Sequence, residues 1–108
     1  MKPAQPRVHR LKTIAPYFTD VVVGRKTFEV RQNDRDFLPG DILLLEEYVP
    51  KGERYTGSFA VRRVTYILHG PAFGIAAGYV VMGIEPCALT DGVEARSTDN
   101  ASDPGGAK

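Results

Sequence analysis

The chain has 108 residues, 43% hydrophobic and 25% charged, with a formal net charge of +1. This is the length and composition of one small globular domain. No apolar run approaches the roughly 20 residues of a membrane span. The basic start, Met1 to Arg7, has no apolar stretch behind it and does not read as a secretory signal. Cys87 is the lone cysteine, so an internal disulfide is excluded and a cytoplasmic location is expected. Cys87, His9 and His69 are too widely spaced for a usual zinc site, and neither a metal nor a cofactor is expected.

The charge is unevenly spread. Residues 1–35 hold eight basic side chains against three acidic ones, a local +5, while the stretch from Pro86 onward carries −2. The overall pI of 7.9 lies below the roughly 9 expected of a domain that grips nucleic acid by charge alone. Broad duplex binding is therefore disfavoured, and a local basic patch reading one nucleotide or a short single strand fits better.

In chain order, residues 1–7 read as a flexible N-terminus, and Val8 to Lys12 as a strand that sets Val8, Arg10 and Lys12 on one side and His9, Leu11 and Thr13 on the other. His9 thus shares the face of a core leucine, as a structural histidine would. Pro16 suits the first turn of a helix whose apolar face is Phe18, Val21 and Val22, and Gly24 suits the left-handed position past its end. Thr27 to Arg31 is the second strand, with Thr27, Glu29 and Arg31 on one side and Phe28 and Val30 facing the core on the other. Asn33 to Asp36 is turn chemistry, and Phe37 to Asp41 forms a second turn. Ile42 to Tyr48 is a strand, Pro50 to Glu53 a loop, Ser58 to Leu68 a long strand preceded by Gly57, and Gly78 to Glu85 the last strand. The segment from Pro71 to Gly78 reads as a loop with room for one helical turn. The ordered domain spans 8–85, and residues 86–108, polar and rich in breakers, read as a disordered tail. The fold class is α+β, mostly β: about five strands able to curl into a small barrel, with one short helix after the first strand.

Two residue runs carry most of the chemistry. Glu29 and Arg31 project to one face about 6–7 Å apart; they suit a ligand's polar edge and its phosphate, or else form a surface ion pair worth roughly 0–1 kcal/mol. Lys26 either complements the helix C-terminus or contacts an anion. Lys12 adds a cation from the first strand. Asn33, Asp34 and Arg35 serve as a turn or as a reader of base edges. Tyr48 and Tyr55 flank a loop, as stacking platforms for an exposed base or as barrel-rim residues. There is no Ser/His/Asp order and no glycine-rich phosphate loop.

The runs His9–Thr13, Tyr17–Phe18, Asp20–Val21, Gly24–Arg31, Asn33–Arg35, Gly40–Asp41, Glu47–Tyr48, Tyr55–Gly57, Val64–Ile67 and Gly78–Val80 together resemble the ASCH domains of the PUA-like superfamily, and within them the bacterial and phage family DUF3850. The resemblance covers residues 9–84. It implies a PUA-like β-barrel with a cleft beside the helix and RNA or a nucleotide as ligand. Some ASCH proteins are amidohydrolases of acylated cytidine and others act as ribonucleases. The amidohydrolase run carries a nucleophilic threonine where this chain has Glu29, and a carboxylate does not replace a threonine hydroxyl in acyl transfer. Glu29 would instead act as a general base or accept hydrogen bonds from a base edge. Three functions follow as expectations: a small RNA- or nucleotide-binding protein, a hydrolase of modified nucleosides or RNA with Lys26 and Glu29 as the catalytic pair, and a module that docks a protein partner.

Overall fold

A computed structural model describes residues 6–93. The elements are β1 (Val8–Ile14), α1 (Ala15–Val22), β2 (Phe28–Gln32), β3 (Ile42–Val49), β4 (Arg54–His69) and β5 (Tyr79–Pro86), with a 3-10 turn at Pro50–Gly52 between β3 and β4. They form one five-stranded sheet in the order β1-β3-β4-β5-β2, in which only β1 and β3 run parallel. Among the described residues no helix is long and apolar enough to cross a membrane.

The helix forms where the sequence reading places it. Pro16 sits in its first turn, Phe18 and Val21 are buried, and Gly24 adopts φ +81° just beyond it. Asp20 carbonyl oxygen accepts from both Arg25 and Lys26 N–H, so the chain turns sharply into β2. The helix lies against β1, β3 and β4. Phe18 and Val21 join Leu11, Leu43, Leu45, Ala60, Val64, Val80 and Met82 in the core on the inner face of the sheet. Burying a side chain such as Phe18 contributes about 1.5–3 kcal/mol.

The mostly β fold with one helix after the first strand matches expectation, and the way the sheet curls adds detail. β1 and β2 lie at opposite ends of the strand order, yet Arg31 Nη2 donates to the Lys12 carbonyl at 2.7 Å and Arg35 Nη1 to the Arg10 carbonyl at 2.8 Å. The two edges must therefore face each other. Guanidinium groups bridge the seam and satisfy edge carbonyls that an open sheet would leave to solvent.

Two irregularities in β4 sharpen the curl. Opposite Glu46 to Tyr48 the register slips, and Gly57, read from sequence as the residue before the strand, lies inside it at φ +94°. A left-handed glycine in a strand is the signature of a bulge. It lets β4 begin at Arg54 and run for 16 residues. A second slip falls between Val64 and Tyr66. The loop after β4 holds no helical turn: Ala72 and Ile75 pair across a tight two-residue turn with Phe73 at φ +49° and Gly74 at φ +84°, and both positive values suit a two-residue hairpin.

Contacts with the sheet are also made by residues outside the 8–85 span. The Arg7 carbonyl accepts from Ile42 N–H at 2.8 Å. Residues 87–93, read from sequence as the start of the tail, return to β4. Phe59 and Gly92 exchange backbone hydrogen bonds, and Asp91 accepts from Val61 N–H at 2.8 Å. The buried Arg62 binds Asp91 at 2.7 Å and donates to the Val21 carbonyl at 3.1 Å, tying this segment to the end of α1. Residues 1–5 and 94–108, the rest of the expected flexible N-terminus and tail, lie outside the described residues.

Candidate ligand-binding cleft

Where β1 ends and α1 begins, β2 comes alongside and encloses a cleft of about 340 Å³, lined by Lys12, Thr13, Ile14, Tyr17, Lys26, Glu29, Val30 and Arg31. That is the size of a small-ligand pocket. The seam between β1 and β2 creates it, because neighbouring strands in the ladder would leave no gap.

Glu29 is its electrostatic centre, and here the sequence reading needs correction. Phe28 and Val30, expected to face the core, are half exposed, whereas Glu29 is 3% exposed. Glu29 stands opposite Met82, itself fully buried, so the inner face of the sheet carries the charged side of β2. A carboxylate tolerates that position only if neutralised. Lys26 Nζ lies 2.7 Å from Oε1 and Arg31 Nε 2.9 Å from Oε2. Both cations keep more contact with solvent than Glu29 does, so they form the mouth of the cleft and the carboxylate its inner wall. Lys26 also donates to the Phe28 carbonyl, which fixes its position. The alternation of β2 made Glu29 and Arg31 legible as a pair, and Lys26 stood out by its place just past the helix; the direction in which the pair points was not legible.

The remaining candidates separate. Lys12 lines the cleft, but it is exposed and its ammonium lies over the Tyr48 ring, 4.2 Å from the centroid. Tyr48 packs edge-on against Tyr55 at 5.0 Å, and neither tyrosine lines the cleft. Asn33 accepts from Phe37 N–H at 3.0 Å and so organises the turn. Arg35 holds the seam, and Asp34 lies exposed 4.0 Å from it. His9 is buried, 2.8 Å from Asp41 and edge-on to Phe37, which is a structural role. At Asp41 burial disfavours the charged form, but hydrogen bonds from His9, Leu38 N–H and Arg7 N–H and the Arg7 charge outweigh it and hold the carboxyl below its ordinary range.

Sequence reasoning missed Thr13, Ile14, Tyr17 and Val30 as lining residues. Thr13 left a signal: it is polar, yet stands on the inward parity of β1 after His9 and Leu11. Nothing local marked Ile14, because the junction of β1 and α1 becomes a wall only once β2 lies beside it.

The family model described as "Domain of unknown function (DUF3850)" matches residues 8–84, which take in β1 to β4, the helix and β5 as far as Ile84. The chain belongs to the DUF3850 family. A relative is the "Uncharacterized 12.9 kDa protein in GpA 3'region" of Escherichia phage P2, 39% identical over 59 residues; the match covers 55% of this chain and 52% of the phage protein. The chain thus spans about half the length of that curated relative. The DUF3850 match contains all the cleft residues and stops before the docked segment at Asp91.

Proposed function

We infer that this DUF3850 domain binds a nucleotide or a short single-stranded RNA in the cleft between β1, α1 and β2. The Lys26–Glu29–Arg31 arrangement carries the reading. Its two cations stand at the mouth with donors to spare, its carboxylate lies at the inner wall, and all three line a cleft of about 340 Å³. A phosphate suits the cations. A base edge with an N–H suits the carboxylate, and the apolar flank of Ile14 and Tyr17 suits the flat face of a base. The local +5 of residues 1–35 and the resemblance to ASCH domains point the same way.

Fluorescence anisotropy with a short labelled single-stranded RNA tests it. Two phosphate-contacting cations correspond to a slope of log K against log salt of about −1.4, from roughly −0.7 per contact. A saturable isotherm with that slope supports the reading, and no binding at millimolar nucleotide or RNA contradicts it.

The 2.7 Å contact between Lys26 and Glu29 supports a second reading, proton transfer in a hydrolase of modified nucleosides or RNA. Both Glu29 oxygens already accept charge-assisted hydrogen bonds, which fix the carboxylate as an oriented acceptor, and binding is the better fit. Turnover of acylated cytidine or RNA that vanishes in Glu29→Gln would reverse that preference.

A further inference from the structure

Among the described residues, one buried side-chain polar atom has no hydrogen-bond partner in the protein: Thr13 Oγ1. Thr13 is 3% exposed and lines the cleft. Buried hydroxyls are nearly always paired, so such an orphan calls for an explanation. A purely structural position at the end of β1 would be filled at least as well by valine, which has the same shape and is equally at home in a strand.

The other polar groups of the cleft are largely committed. Lys26 spends two of its three N–H groups on the Phe28 carbonyl and Glu29, and Arg31 spends two of its five on Glu29 and the Lys12 carbonyl. What remains on both is donor capacity with positive charge, suited to an anion. The Thr13 hydroxyl is different in kind. It is neutral, can both donate and accept, and belongs to a residue that lines the cleft beside the apolar Ile14.

We propose that Thr13 is the specificity-determining contact of this site, pairing with a neutral polar atom of a nucleobase while Lys26 and Arg31 hold the phosphate. This rests on the nucleotide reading above and adds an orientation to it: base inward against Thr13, phosphate outward at the mouth. A ligand with a ring carbonyl or ring N–H at the Thr13 position relieves the orphaned hydroxyl, and a sugar phosphate without a base leaves it unpaired.

The test compares wild type, Thr13→Val and Thr13→Ser by calorimetric titration with the four ribonucleoside 5′-monophosphates and with ribose 5-phosphate, alongside thermal unfolding of the free proteins. Thr13→Val should unfold no earlier than wild type, because it removes a hydroxyl that has no protein partner. It should bind the preferred nucleotide roughly 5- to 150-fold more weakly, the equivalent of an unpaired buried polar group at about 1–3 kcal/mol and 1.4 kcal/mol per tenfold. Its affinity for ribose 5-phosphate should be unchanged, and Thr13→Ser should retain nucleotide affinity. Undiminished nucleotide binding by Thr13→Val, or an equal loss for ribose 5-phosphate, overturns the Thr13 assignment and leaves the nucleotide reading standing. Absence of nucleotide binding by wild type overturns both.

Discussion

Glu29→Gln tests the electrostatic design of the cleft most sharply. The change keeps the shape of the side chain and removes its charge. Glu29 is buried, with one oxygen on Lys26 at 2.7 Å and the other on Arg31 at 2.9 Å. Removing one partner from a fully buried ion pair costs about 3–5 kcal/mol, mostly because the other charge is stranded. Here the cations retain 18% and 26% side-chain exposure and can rehydrate, and glutamine keeps one acceptor oxygen. The expected loss is therefore smaller, about 1–3 kcal/mol. At roughly 4–8 °C per kcal/mol for a domain of this size, that is a fall in Tm of about 4–24 °C. Urea unfolding followed by circular dichroism should show a lower midpoint at unchanged slope. A double-mutant cycle with Lys26→Met should yield a coupling of at least about 0.5 kcal/mol. A Glu29→Gln midpoint equal to that of wild type, or additivity within about 0.3 kcal/mol, would refute the buried-triad reasoning.

Asp41→Asn should cost about 1–3 kcal/mol at neutral pH by weakening the contacts with His9 and Arg7. The carboxyl of Asp41 is held below its unfolded value of about 3.9, so its contribution is complete above that pH and disappears as pH falls through the folded value. The stability gap between wild type and Asp41→Asn should accordingly close on acidification below about pH 4, measured by urea midpoints across pH. Asp91→Ala leaves the buried Arg62 without its carboxylate and frees the Val61 amide; a loss of about 1–3 kcal/mol with faster proteolysis near residues 87–93 is expected in a limited-thermolysin assay. Arg35→Ala opens the seam at the Arg10 carbonyl, and faster hydrogen exchange across β1 should follow with a stability loss of about 0.5–1.5 kcal/mol.

Local patterns told much of the fold in advance. Pro16, the Phe18–Val21 spacing and Gly24 marked the helix and its end, and the alternation His9-Leu11-Thr13 marked the buried face of β1 correctly. On β2 the same logic reversed the faces, because apolar Phe28 and Val30 outweigh Glu29 in any reading of a single strand. Only the cations from Lys26 and Arg31 make the inward carboxylate tolerable, and their convergence depends on the turn after α1. The bulge at Gly57 was invisible for a related reason: a glycine reads as a boundary until the partner strand shows that pairing resumes beyond it. The docking of Asp91 onto Arg62 joins residues 29 positions apart, and a polar segment offers no periodicity from which to foresee it. Of the candidate site residues, Lys26, Glu29 and Arg31 meet in the cleft as a triad, while Tyr48, Tyr55 and Asn33 are engaged elsewhere.

The most direct measurement of the central claim is a two-dimensional amide NMR titration of the whole protein with ribonucleoside monophosphates and a short single-stranded RNA. The expected result is saturable shift changes concentrated at residues 12–17 and 26–31, where β1, α1 and β2 enclose the cleft. Shifts confined to the outer face around Tyr48 and Tyr55, or none at millimolar ligand, would contradict it.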